Sequence, residues 1–340
     1  MGDVFLFYQL YSKGEITRMK KWYPLLFAFI LLIGIMSGCG TDSKTAEKGS
    51  KDSNKTEQKE EALFPVTIKD ALEQEVVIEK EPERIVSLIP SNTEVAYQLD
   101  LGEKVVGVSD YDTYPEEATK KEKVGGTEIN IEKIISLKPN LVLAHASTAH
   151  NSNAGLQQLK DAGISVLVVN DAQSFEQVYT SIEMIGKATG ERDKAAELIQ
   201  SMKDKVADIK DKAASVKEKK TVYIEVSPAP DIYTTGKNTF MDEMLSVINA
   251  ENVAGDLDGW AKVDQEAIIQ KNPEVIITTY GYYEKDSVAK ILERKGWQDI
   301  SALKNKQIFD VNPDIVTRSG PRLAEGVEEL AKAIYPDIFK

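Results

Sequence analysis

The chain has 340 residues, 42% hydrophobic and 29% charged, a mix suited to a soluble globular protein of one or two lobes. A formal net charge of -13 excludes a nucleic-acid partner, which would need clustered basic residues. One cysteine excludes an internal disulfide and a cysteine-based zinc site, and two histidines are too few for a zinc or manganese centre, so no metal site and no cofactor is expected.

Residues 1–18 are too long and mixed for a targeting n-region. Lys13-Gly14-Glu15 can be encoded by a purine-rich string resembling a ribosome-binding site, so translation is expected to start at Met19 rather than Met1. Residues 19–38 read as a signal peptide: basic Lys20-Lys21, an apolar run from Leu25 to Met36, then small Ser37-Gly38. The run is shorter than the roughly 20 residues of a spanning helix. Met36-Ser37-Gly38-Cys39 resembles a bacterial lipobox, which implies a lipid on Cys39 and attachment to the extracytoplasmic face of the cell membrane. Residues 39–61, nearly all polar, read as a disordered tether.

From Arg84 onward short β-branched runs alternate with amphipathic stretches. Arg84–Ile89, Lys104–Ser109, Asn140–Ala144 and Ile164–Asn170 are predicted strands. Asn92–Leu99, Asn130–Leu137, Ala154–Ala162 and Ser174–Thr189 are predicted helices, with Ser91 and Glu94 forming a capping box on the first. Such alternation implies βαβ units and a mostly parallel sheet. Residues 191–219 lack glycine and proline and read as one long helix. The alternation restarts at Thr221, with strands at Thr221–Val226, Glu274–Thr279 and Gln307–Val311, helices at Asn238–Val247, Asp264–Gln270 and Ser287–Lys295, and a final helix at Pro321–Tyr335. The fold class is therefore α/β: an N-terminal lobe (62–190), a backbone helix (191–219), a C-terminal lobe (220–316) and a C-terminal helical segment (317–340).

The two lobes share a repeat. Asn130-Ile131-Glu132-Lys133-Ile134-Ile135 leads to Pro139, and Asp264-Gln265-Glu266-Ala267-Ile268-Ile269 leads to Pro273, with the same glutamate-to-proline spacing. One carboxylate per lobe in equivalent positions is what a pseudo-twofold protein offers a twofold partner.

With these features the chain resembles the class III substrate-binding proteins of ABC importers, most closely their cobalamin binders. The resemblance covers Arg84 to the C-terminus. It is carried by residues 84–94, by Gly107-Val108-Ser109-Asp110-Tyr111 with Tyr114-Pro115, by Asn130-Ile131-Glu132 with Leu137-Lys138-Pro139, by Tyr233-Thr234-Thr235-Gly236-Lys237, and by Pro321-Arg322-Leu323. It implies two α/β lobes joined by one long helix, a ligand clamped between them, and a monomer serving a permease dimer with its ATPase subunits. It also implies that Glu132 and Glu266 dock onto permease arginines, and that Tyr111, Tyr233 and Trp260 line the ligand cleft. Gly125-Gly126-Thr127, His145 and Val316 stand where the family has further aromatic residues. Tyr280, Tyr282 and Tyr283 are candidates to compensate, and His145 and Arg318 complete the candidate ligand-binding residues. A lone histidine after a strand is more often a solvated loop residue, and Arg322 reads also as a brace for the final helix.

The ligand expected is cobalamin, with a ferric siderophore or haem as the alternative, since anionic chelates favour basic residues such as Arg318. A surface-anchored enzyme is disfavoured, because the chain has no P-loop, His-Glu-x-x-His or Gly-x-Ser-x-Gly sequence. An adhesion or scaffold lipoprotein would have no need of cleft-edge aromatics.

Overall fold

A computed structural model describes residues 63–340, and Ala62–Lys340 form one compact unit. The expected start at Met19, signal peptide, lipidated Cys39 and tether all lie outside the described residues. Among the described residues no helix is long and apolar enough to cross a membrane.

The N-terminal lobe opens on a hairpin that the sequence reading missed, β1 (Val66–Lys69) and β2 (Glu75–Ile78). Its strands alternate buried and exposed residues, and Asp70 closes the turn by accepting from the N–H groups of Leu72 (2.8 Å) and Gln74 (3.0 Å). The lobe proper runs β3 (Ile85–Ser87), α1 (Pro90–Gln98), β4 (Val105–Val108), α2 (Glu116–Thr119), β5 (Glu122–Lys123), α3 (Ile131–Ser136), β6 (Leu141–His145), α4 (Ala146–Ala149), α5 (Asn153–Asp161), β7 (Ser165–Val169) and α6 (Phe175–Thr189). Its sheet is all parallel in the order β5-β4-β3-β6-β7. β3 and β6 are buried throughout, which is why they read as unbroken apolar runs.

Gly190, at φ 83°, ends α6 in the left-handed region and turns the chain into α7 (Arg192–Ala213). With 22 residues α7 spans about 33 Å at 1.5 Å per residue. It is shorter than the expected 191–219, because the chain turns at Ala214–Val216 through i→i+3 bonds.

The C-terminal lobe runs β8 (Thr221–Ser227), β9 (Tyr233–Thr235), α8 (Phe240–Val247), β10 (Glu251–Asn252), β11 (Trp260–Lys262), α9 (Gln265–Lys271), β12 (Val275–Thr278), α10 (Ser287–Leu292), α11 (Ser301–Lys304), β13 (Ile308–Asp310), α12 (Pro313–Val316) and α13 (Leu323–Ile334). Its sheet has the order β11-β9-β8-β12-β13, with β10 beside the start of β8. β8, β12 and β13 are parallel, whereas β9 and β11 form an antiparallel edge. One core runs through both lobes, from Leu99 and Leu141 through Ile199 and Met202 of α7 to Val222, Phe240 and Leu330. Each lobe also has its own smaller cluster on the far side of its sheet.

The expected capping box on α1 is corrected. Ile89 is the N-cap and makes no side-chain cap, Pro90 opens the helix, and both Ser91 and Glu94 are buried. Glu94 has other partners.

Gly326 lies where α13 crosses α12, and a Cβ there would sit 2.1 Å from the Ile315 carbonyl oxygen. Gly326→Ala gains about 1 kcal/mol of helix propensity. Overpacking against backbone outweighs this, so the variant is expected to lose about 1–3 kcal/mol in urea denaturation.

Candidate ligand-binding site

The C-terminal ends of the parallel strands of the two sheets meet at a seam, the place where α/β sheets hold ligands. At its centre is Glu94 of α1, 1% exposed. Arg322, just before α13, donates Nε to Glu94 Oε2 (2.9 Å) and Nη2 to Oε1 (2.7 Å). Arg318 adds Nη1 to Oε1 at 3.0 Å. Its Nη2 donates to Thr113 Oγ1 (2.9 Å) and pairs with Asp314 Oδ1 (2.8 Å), while the Thr113 hydroxyl donates to Asp314 Oδ2 (2.9 Å). The Arg322 guanidinium also lies over the Tyr114 ring, 3.9 Å from its centroid. Burial alone would lower the Arg322 pKa; the hydrogen bond to Glu94 and that carboxylate's charge reverse the sign and raise it. Two guanidinium groups thus share two carboxylates.

Aromatic rings flank this network. Tyr111, beyond β4, is 45% exposed and its hydroxyl lies 2.9 Å from Thr127 Oγ1. Its ring rests on Gly126, where a Cβ would come within 2.8 Å of it. The missing side chain at Gly126 therefore seats Tyr111. Across the seam Tyr282 is 73% exposed and stands edge-on to Tyr283 at 4.7 Å. The covered part of the Tyr282 ring, and then the Asp314 charge, raise its pKa, while the Arg318 charge opposes them. Tyr233 opens β9 opposite Ser227, the last residue of β8. Trp260 opens β11 and packs edge-on to the buried Phe240 at 6.0 Å; Tyr233 and Trp260 are half-buried against the shared core.

Three expectations are corrected. Tyr280 is 2% exposed and its hydroxyl donates to Glu225 Oε1 at 2.5 Å, inside a buried cluster where Arg294 grips Glu225 with both arms. It offers no face to a ligand. His145 is neither a loop residue nor solvated: it ends β6, is 4% exposed, and caps α4 by accepting from the Ser147 N–H at 3.3 Å. Burial holds its pKa down to about 4, so the ring is neutral at pH 7. Arg318 is not an unpaired cation awaiting an anion, because Glu94 and Asp314 already match it. The residues missed by the sequence reading are Glu94, Thr113, Tyr114 and Asp314. In the sequence Glu94 stands out only as a helix-cap residue and Tyr114 only within the Tyr114-Pro115 match, and neither pattern points to Arg318 or Arg322.

The repeated glutamates occupy matching places. Asn130 caps α3 by accepting from Lys133 N–H (2.9 Å), and Asp264 caps α9 by accepting from Glu266 N–H (2.9 Å). Glu132 and Glu266 are each the second residue of their helix, exposed and without an ion pair among the described residues. α3 leads into β6 and α9 into β12, each the strand beside the first strand of its lobe's sheet.

Residues 85–315 match the periplasmic binding protein family. The chain belongs to that family. It is 55% identical to YvrC, an uncharacterized ABC transporter substrate-binding lipoprotein of Bacillus subtilis, over 95% of this chain and all of that one. A cobalamin-binding protein of Halobacterium salinarum is 30% identical over 80% of this chain and 74% of its own. Among solved structures, that of a possible iron-binding (periplasmic solute-binding) protein from Staphylococcus epidermidis superposes with a TM-score of 0.69 at 41% identity, covering 75% of this chain and all of that one. The two-lobed α/β fold is that of the class III periplasmic binding proteins, and the chain is a substrate-binding protein rather than an enzyme.

Replacing Glu94 by Ala strands Arg318 and Arg322 without their shared partner and is expected to cost about 3–5 kcal/mol in urea denaturation. His145 gives a pH signature. Below pH 6.5 the unfolded chain takes up a proton that the folded chain refuses down to about pH 4. Its contribution is therefore complete above pH 6.5 and falls by about 3 kcal/mol as the pH drops from 6.5 to 4. In denaturation curves between pH 7 and 4.5, His145→Gln should flatten this part of the slope; an unchanged slope would contradict the assignment.

Proposed function

We propose that the protein is the extracytoplasmic binding lipoprotein of an ABC importer, anchored by a lipid on Cys39. It holds a corrinoid, cobalamin above all, at the seam between its lobes and delivers it to a permease dimer with its ATPase subunits. One observation carries the choice of ligand: exposed aromatic faces border a seam whose arginines are already matched by carboxylates. Tyr111 and Tyr282 offer broad faces to a large ring, and their hydroxyls can bond amide arms. Tyr233 and Trp260 extend that apolar wall, and Arg318 gives the floor hydrogen-bonding groups with little net charge. An anionic iron chelate would instead require cations free to pair with it. The Halobacterium salinarum relative's cobalamin binding agrees with this reading.

An iron chelate is the second reading, favoured by the likeness to the Staphylococcus epidermidis protein. Glu132 and Glu266 are assigned to the permease, where exposed carboxylates one per lobe set orientation and on-rate. The segment 39–61 would serve as tether, and the lobes would close modestly about α7.

A fragment from Ala62 to Lys340 is expected to bind cyanocobalamin one to one, at micromolar Kd or tighter, by tryptophan quenching and calorimetry. Silence in both assays, with haem or a ferric siderophore binding instead, would overturn the corrinoid assignment. Reversing both docking charges (Glu132→Arg, Glu266→Arg) should abolish cellular uptake while leaving the Kd within twofold; lost binding would contradict docking.

A further inference from the structure

Tyr282 and Tyr283 stand on the loop that leaves β12 and enters α10. Tyr282 is too exposed for packing to hold it, so its place depends on the backbone that carries it. That backbone is fixed at its root. Tyr280 turns inward, where its hydroxyl donates to Glu225 Oε1, and its carbonyl accepts from the N–H groups of Tyr283 (3.2 Å) and Glu284 (2.9 Å). The Tyr280 ring lies 6.2 Å from that of Tyr283, which meets Tyr282 edge-on at 4.7 Å. A row of three rings thus leads from the buried Glu225–Arg294 pair out to the exposed face of Tyr282.

The next residue, Gly281, is held by Asp310 at the end of β13. Asp310 Oδ1 accepts from the Gly281 N–H (2.9 Å), from Thr278 Oγ1 (2.6 Å) and from Ser287 Oγ (3.2 Å). Thr278 ends β12 and Ser287 begins α10, and both are buried, so one carboxylate oxygen gathers the two ends of the loop and the root of its tyrosine arm. A charged acceptor makes each of these bonds stronger than a neutral one would. The approach is so close that a Cβ at position 281 would sit 2.1 Å from Asp310 Oδ2, which is why a glycine stands there.

We propose that Asp310 is a positioning residue for the ligand: by holding Gly281 it fixes the arm from Tyr280 to Tyr283 in advance, so that Tyr282 presents its face in one preset pose. Asp310 acts through Tyr282 and not on the ligand itself. A ring held this way loses little freedom on binding, which favours a ligand that fits the preset pose over one that requires the arm to move. The proposal rests on the reading of Tyr282 as a ring that meets the ligand, and its two halves, a rigid arm and a gain in affinity, are measured separately.

Amide hydrogen exchange in the ligand-free Ala62–Lys340 fragment tests the first half. It is read at Tyr283 and Glu284, whose N–H groups bond to Tyr280 and not to Asp310. Asp310→Ala and Gly281→Ala, which break the same contact from opposite sides, are expected to speed exchange there by about tenfold. Asp310→Asn, which keeps an acceptor oxygen, should stay close to the parent. Unchanged exchange in Asp310→Ala would overturn the proposal whatever the ligand is. For the second half, Asp310→Ala is expected to weaken the cyanocobalamin Kd about tenfold, and to weaken it no further once Tyr282 is replaced by Ala. An equal loss in the Tyr282→Ala background would overturn action through the arm, as would a Kd that Tyr282→Ala leaves unchanged. A parent fragment that binds no cyanocobalamin would overturn the corrinoid reading alone, with the exchange rates still deciding whether Asp310 holds the arm.

Discussion

A carboxylate as buried as that of Glu94 is tolerable only because two guanidinium groups meet it, and that need ties the halves of the molecule together. Glu94 comes from α1 of the first lobe, whereas Arg318 and Arg322 come from the segment joining α12 to α13. Thr113 and Asp314 extend the tie on the exposed side. Beneath it the shared core follows α7 and α13, so the lobes are joined by apolar packing as well as by charge. The same arrangement sets the character of the seam. Arginines that would attract an anion are matched internally, and the rings of Tyr111 and Tyr282 are left exposed.

Much of this fold could be read from the sequence, because parallel strands buried on both faces appear as unbroken apolar runs and several helices start at an evident cap. Asn130, Ser174 and Asp264 each accept from the backbone as their residue type suggests. The strands that were missed are short: the hairpin β1–β2 has four residues per strand, and β9 and β11 have three each. Such lengths leave too little periodicity to recognise.

The site was less legible, for a different reason. Ser91-x-x-Glu94 is a local capping pattern, but the partners that decide the fate of Glu94 lie 224 and 228 residues away. Tyr280 and Tyr282 are two positions apart, and nothing local shows that Glu225 draws the first inward while the second stays 73% exposed. His145 follows an apolar strand and was read as its exit, yet β6 continues through it and buries the ring. The glutamate repeat was legible because it is local, with cap, carboxylate and proline within ten residues in each lobe.

The most direct test of this account is a crystal structure of the Ala62–Lys340 fragment with bound cyanocobalamin. The account predicts the corrin ring against Tyr111 and Tyr282 at the seam, with Arg318 and Arg322 still on Glu94. A ligand bound elsewhere, or an Arg318 swung away from Glu94 to pair with a charged group of the ligand, would contradict it.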